Sequence, residues 1–127
     1  MSININLSGT ITVIDSATGL TNLTKSVSAA MIIGSSFTQM QNLNIGTAVT
    51  NLSLPVTPVQ FVYLKNLHVN QTVAVTWTTP AGGSVSVITL EPGAVIIFTE
   101  SAPGAGITAI SLQASGATTP VEYILGG

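Results

Sequence analysis

Apolar and polar residues alternate with a period of two over most of this chain, the pattern of half-buried β-strands. Ile3, Ile5 and Leu7 alternate with Asn4 and Asn6; after Gly9 the pattern resumes at Ile11, Val13 and Ile14. Asp15-Ser-Ala-Thr-Gly19 then reads as a turn, with Asp able to bond its own downstream backbone and Gly supplying positive φ. In the segment 21–33, Leu23, Val27 and Met31 recur every four residues, which fits a helix, whereas the β-branched and hydroxyl content favours a strand. Gly34-Ser-Ser36 is a break. Phe37, Met40, Leu43 and Ile45 mark a further apolar segment, and 48–54 reads as a strand that ends at Pro55.

From residue 59 the pattern is clearest. Val59, Phe61, Tyr63 and Leu67 alternate with Val62 and Leu64, so both faces are partly apolar, as in a central strand between two layers. Val73, Val75 and Trp77 alternate with Thr and Ala, and Pro80-Ala-Gly-Gly83 closes a hairpin whose return arm carries Val85, Val87, Ile88 and Leu90. Glu91-Pro92-Gly93 is a type II turn signal, with Pro at the first central position and Gly at the second. Strands over 94–99, 107–113 and 121–125 follow. About nine or ten short strands, spaced by turns and without a long amphipathic helix, predict an all-β fold. The architecture expected is a single antiparallel β-sandwich of jelly-roll type over 1–127, with the clearest patterning over 59–125 and weaker patterning over the N-terminal strands of 1–58. The expected core is Phe61, Tyr63, Val73, Val75, Ile96, Phe98, Ile110, Leu112 and Tyr123.

Composition changes this picture in one respect. Only 5% of the 127 residues are charged, against roughly 25% in an average soluble protein. Lys25 and Lys65 are the only Lys or Arg residues and net charge is −2, which excludes the basic stripe that nucleic-acid binding requires. A folded monomer of this mass exposes roughly 6,300 Å², so most of the surface must be uncharged. Such a surface gives little electrostatic protection against association. The apolar runs are too short to span a bilayer as a helix, and the start lacks the basic and apolar regions of a signal peptide. No membrane partner and no secretion signal are expected.

Candidate chemistry is sparse. There is no cysteine, which removes thiolate metal sites and cysteine nucleophiles. His68, the single histidine, has no neighbouring acid in sequence and reads as a loop or strand-end residue. The four acids, Asp15, Glu91, Glu100 and Glu122, are scattered. Glu91 and Glu100 flank one strand and stand roughly 25–30 Å apart, too far for a glycosidase pair. Trp77 offers a sugar-stacking platform in principle, but its alternating position favours a half-buried core role. No catalytic, cofactor or metal site is predicted, and the chain is not expected to be an enzyme. The Asn-x-Ser/Thr triplets at Asn22, Asn51 and Asn70 read as chance in an Asn- and Thr-rich chain.

Residues 59–125 resemble small structural proteins of the virions of tailed bacteriophages and related viruses. The likeness lies in Tyr63-Leu64-Lys65-Asn66-Leu67, in the hairpin of Val73-Ala-Val75 and Gly82-Gly83, and in the Leu90-Glu-Pro92-Gly93 turn before a strand ending at Phe98. It continues through the Pro103-Gly104 loop to the closing Val121-Glu122-Tyr123-Ile124-Leu125 strand. His68 and Ala94 depart from the pattern, where acids are expected. The resemblance implies a β-sandwich subunit that decorates heads or forms minor capsid or tail parts. Such a subunit is made in the host cytoplasm and resides in the virion, with itself, as a trimer, and other virion proteins as partners. The composition independently suits multivalent assembly. Met31, Ile33, Phe37 and Met40 carry more apolar side chain than their Ser/Thr-rich setting would bury in one sandwich, and they are the expected oligomer interface. The alternative is a carbohydrate-binding, lectin-like or receptor-binding module that uses Trp77, Tyr63 and the Asn/Gln-rich loops.

Overall fold

The computed structural model describes residues 3–33, 36–80, 85–100, 102 and 104–127, with the backbone alone at 3, 22, 31–33, 85 and 86. The expected turn at Gly82-Gly83, the break at Gly34 and Pro103 lie outside the described residues, as do the side chains of Met31 and Ile33. Ten strands and no helix are present among the described residues: β1 (Ile3–Ile14), β2 (Thr21–Ile33), β3 (Gln41–Ile45), β4 (Thr50–Asn51), β5 (Phe61–Asn66), β6 (Val73–Thr78), β7 (Val85–Leu90), β8 (Val95–Thr99), β9 (Ala109–Ala114) and β10 (Thr119–Gly126).

Eight of them form two antiparallel sheets, ordered β3-β10-β5-β8 and β4-β9-β6-β7. Each of the first four strands pairs with its mirror in the chain: β3 with β10, β4 with β9, β5 with β8 and β6 with β7. Successive pairs alternate between the sheets. This is one long hairpin rolled upon itself, the topology of a jelly roll. The sheets enclose an aliphatic core of Ile45, Val62, Leu64, Val73, Val75, Leu90, Ile107, Leu112, Val121 and Leu125, all at or near zero exposure.

The turns form for the reasons the sequence states. Gly93 has φ 75°, and the Ala94 N–H donates to the Glu91 carbonyl at 2.9 Å, closing the turn between β7 and β8. At the tip between β1 and β2, Gly19 has φ 71° and the Asp15 carboxylate accepts the Ala17 N–H at 2.8 Å.

The segment 21–33 is a strand throughout, as its β-branched and hydroxyl content favours, and its period of four is incidental. Several other expectations need correction. β1 runs straight through Gly9. The strand expected over 48–54 shrinks to Thr50–Asn51, although the Leu52 N–H still donates to the Ile110 carbonyl. Tyr63 is not a core residue. It stands on the face of β5 opposite Val62 and Leu64, with its hydroxyl donating to Glu122 Oε1 at 2.8 Å. Ile96, Phe98 and Tyr123 are half-buried and pack against the core, while Phe61, Val73, Val75, Ile110 and Leu112 are buried.

β1 and β2 join neither sheet. They pair only with each other, over twelve register positions, as an antiparallel ribbon. Its root is tied to the sandwich through Phe37, which bridges to Gly126, and through Thr38, whose N–H donates to the Leu125 carbonyl at 2.7 Å.

Candidate functional site

The ribbon segregates its residues by face. In register, Leu7 opposes Ala29, Gly9 opposes Val27, Ile11 opposes Lys25 and Val13 opposes Leu23. The intervening pairs are Ser8 with Ser28, Thr10 with Ser26 and Thr12 with Thr24. Because side chains of a strand alternate between faces and opposed residues share one, one face is aliphatic apart from Lys25 and the other is hydroxyl-rich. Toward the root the apolar register continues: Ile5 opposes Met31 and Ile3 opposes Ile33.

The apolar face is largely uncovered. Ile11, Val13, Leu23 and Val27 are 45–56% exposed, while Ile5 and Leu7 are half-buried. Between this face and the outer side of the sandwich runs a groove of about 400 Å³, lined by Leu7, Gly9, Ile11, Val27, Ala29 and, from β8, Ile97. Ile97 and Val95 are themselves exposed, at 51% and 46%. The whole subunit exposes 7262 Å², where a compact monomer of 12.9 kDa exposes roughly 6,300 Å². The excess, roughly 950 Å² on that scaling, reflects a ribbon that joins neither sheet and is exposed on both faces.

Of the four residues expected to form an interface, Met31 and Ile33 are positions of β2 near the ribbon root, and Phe37 and Met40 lie in the connector that follows, 51% and 58% exposed. Further exposed apolar surface lies farther out along the ribbon, on Ile11, Val13, Leu23 and Val27. Sequence reasoning passed over it because it follows from the pairing of two segments, not from either alone. The signal was present: two alternating stretches joined by a turn fix which residues oppose which.

The polar groups hold structure together. Asp15 caps the ribbon tip, and the Ala17 and Thr18 N–H groups hold its carboxyl below the ordinary carboxylate value. Glu100 Oε1 accepts the Ala102 N–H at 2.9 Å, and Glu122 accepts the Tyr63 hydroxyl. Burial, with Glu122 adding to it, raises the Tyr63 phenol above its ordinary value. His68 Nδ1 accepts the N–H groups of Asn70 and Gln71, both at 3.1 Å, so it caps the turn ahead of β6. Trp77 is half-buried and packs against the core, with its ring 6.1 Å from that of Phe98. Asn66, which sequence reasoning treated only as part of a motif, is wholly buried and joins the sheets: its amide donates to the carbonyls of Gln71 and Leu90 at 2.7 and 3.0 Å.

A second cleft, about 520 Å³, opens at one end of the sandwich beside Thr79, Pro80, Phe98, Glu100 and Gly104–Gly106. Glu100 is its only titratable lining group among the described residues, so acid and base are not paired there as proton-transfer chemistry needs. Among the described residues no three His, Cys, Asp or Glu side chains gather to hold a metal, and no helix is long and apolar enough to cross a membrane. No protein-family model matches the chain, and neither curated proteins nor solved structures give a match.

Proposed function

We propose that this chain is a structural subunit that works by multivalent assembly, of the kind that decorates a bacteriophage head or forms a minor part of its capsid. The observation that carries this reading is the amphipathic ribbon, an ordered apolar face on a nearly uncharged subunit. A jelly roll also serves lectins and enzymes, so the fold by itself does not choose among functions. The surface does. A ligand-binding module concentrates polar groups in a concave site, whereas here the conspicuous uncovered feature is an extended aliphatic strip. Trp77, the residue best suited to stack on a sugar, is half-buried and packs against Phe98, which favours its core role over the carbohydrate-binding alternative.

Sedimentation of the purified chain at micromolar concentration, with co-sedimentation on purified capsids and tails, tests the reading. A homo-oligomer or a particle-bound chain is expected. A monomer of 12.9 kDa that binds neither particle overturns it.

A further inference from the structure

We infer that the open edge of β8 pairs antiparallel with the β8 edge of a second copy of this chain, across a two-fold axis at Ile97. The inference rests on the assembly reading above and names a contact for it. β8 ends the sheet β3-β10-β5-β8 and pairs only with β5. At its two ends the Asn66 N–H donates to the Ala94 carbonyl at 3.1 Å, and the Glu100 N–H donates to the Gln60 carbonyl at 2.8 Å. Backbone groups of an antiparallel strand turn to alternate sides residue by residue, so Ala94, Ile96, Phe98 and Glu100 face β5. The N–H and C=O groups of Val95, Ile97 and Thr99 therefore face the open edge, where they have no partner among the described residues.

Monomeric sheets guard such an edge with lysine, proline, a bulge, short length or a covering segment. Among the other edge strands, β4 has only two residues, β3 carries Gln41, Asn42 and Asn44, and β7 carries Ser86 and Thr89. β8 reads Val-Ile-Ile-Phe-Thr, with no charge, no proline and no register shift against β5. Val95 and Ile97 are 46% and 51% exposed. Its inward residues, Ile96 and Phe98, pack on the core yet stay half-buried. The edge is thus unguarded on both of its faces, and one added strand both satisfies its backbone and completes its burial, the mode of β-strand addition.

The spacing of the free groups points to a second copy as the occupant. They stand at 95, 97 and 99, symmetric about Ile97. In one antiparallel register Ile97 opposes Ile97 of the copy and Val95 opposes its Thr99, so every free donor and acceptor of both strands is used, in six hydrogen bonds. A shift of two residues either way keeps only four within the strand. On the inner face of the same register Ile96 opposes the copy's Phe98, which joins the two cores, and cross-strand pairs of β-branched and aromatic residues are favourable. Charge permits the contact: Glu100 opposes Ala94 of the copy, so the two Glu100 residues stand at opposite ends, roughly 20 Å apart at the strand rise. The contact is isologous and makes one eight-stranded sheet, a dimer contact in place of the trimer that the family resemblance implies.

Ile97 gives the test, by sedimentation of the purified full chain with circular dichroism as the check on folding. Ile97→Lys sets two ammonium groups side by side at the axis and should weaken self-association roughly 100-fold or more. Leu23→Lys, on the exposed ribbon face, should leave it unchanged. Because the chain lacks cysteine, the register can be read covalently in variants that add no charge. Opposed residues that exchange both hydrogen bonds have Cα atoms about 5.5 Å apart, within disulfide reach. Ile97→Cys should therefore give a covalent dimer on mild oxidation. In Val95→Cys the two thiols lie four residues apart, roughly 13 Å, and no cross-link should form. If the wild-type chain is an oligomer but Ile97→Lys leaves it so, or Ile97→Cys fails to cross-link, the β8 contact is wrong and the assembly reading stands. A monomer that still binds capsids also overturns the pairing of copies and leaves the assembly reading in place. A monomer that binds nothing overturns both.

Discussion

Replacing Asn66 with Ala should cost more than any other single polar truncation in the sandwich. Asn66 sits at the end of β5 with no exposed surface. Its amide donates to the buried Leu90 carbonyl at 3.0 Å and to the half-buried Gln71 carbonyl at 2.7 Å, and its side-chain oxygen accepts the His68 N–H at 2.9 Å. The backbone of the same residue holds the turn between β7 and β8, through Ala94 and Gly93. Losing the buried bond costs about 1–3 kcal/mol, and each half-buried bond about 0.5–1.5 kcal/mol, so the sum is about 2–6 kcal/mol before any cavity is counted. A domain of this size has only about 5–15 kcal/mol in total. Urea unfolding followed by tryptophan fluorescence reads the loss. At a slope of about 2 kcal/mol per molar, the midpoint should fall by roughly 1–3 M. Protein concentration must be fixed, because association adds to apparent stability. Asn66→Asp refines the test. Its carboxylate would face two carbonyl oxygens, and burial would raise its folded pKa. The deficit should therefore be largest near neutrality and shrink as pH falls, since the protonated acid can donate. A loss under about 1 kcal/mol for Asn66→Ala, below the range for one buried bond, would refute the view that this amide joins the sheets.

Gly106 has φ 127°, and a Cβ there would stand 2.3 Å from the Val59 carbonyl oxygen, where Val59 and Ile107 exchange backbone hydrogen bonds. Gly106→Ala should destabilise by about 3 kcal/mol or more in urea, while Gly46→Ala, with open space and ordinary φ, should be near neutral. The raised pKa of Tyr63 makes a contribution that is present below the ordinary phenol value and is lost as pH rises through the folded value. Phenolate absorbance in a Tyr123→Phe background should rise later than in a free phenol, and Tyr63→Phe should remove that alkaline loss of stability.

How legible the molecule was in its sequence differs from strand to strand. Turns were read well because their chemistry is local: Asp15 with Gly19, and Pro92 with Gly93, need only near neighbours. The inward face of β5 was not. Apolar residues occupy both faces there, so period alone cannot choose between Phe61-Tyr63 and Val62-Leu64. The deciding residues are Lys65, which shares the Tyr63 face, and Asn66, which shares the core face and is tolerated only because three hydrogen bonds satisfy it. β4 was over-read because Leu52 and Leu54 continue an apolar pattern after the ladder has ended at Asn51. The interface expectation named Met31 and Ile33 because a dense apolar run is visible along one segment. That Ile11, Val13 and Leu23 share one exposed face emerges only from which residues they oppose across the ribbon.

If the chain assembles as proposed, ribbon order and assembly are linked. A two-stranded ribbon by itself is marginal in water, and this one has both outer edges unpaired and its apolar face uncovered. The sandwich has its own aliphatic core and does not depend on it. Stability is therefore distributed unevenly, with the ribbon at the low end. Six large aliphatic residues, Ile5, Leu7, Ile11, Val13, Leu23 and Val27, stand on the face in each copy. Completing the burial of each contributes about 1 kcal/mol, or about 12 kcal/mol gross for a pair. Association costs of about 4–15 kcal/mol offset most of that. On the assembly reading, one ribbon contact would be a modest interaction, strengthened many-fold where subunits already sit on a lattice that raises their effective concentration. A weakly charged sandwich with such an arm would then stay dispersed when dilute and lock together where copies are brought side by side.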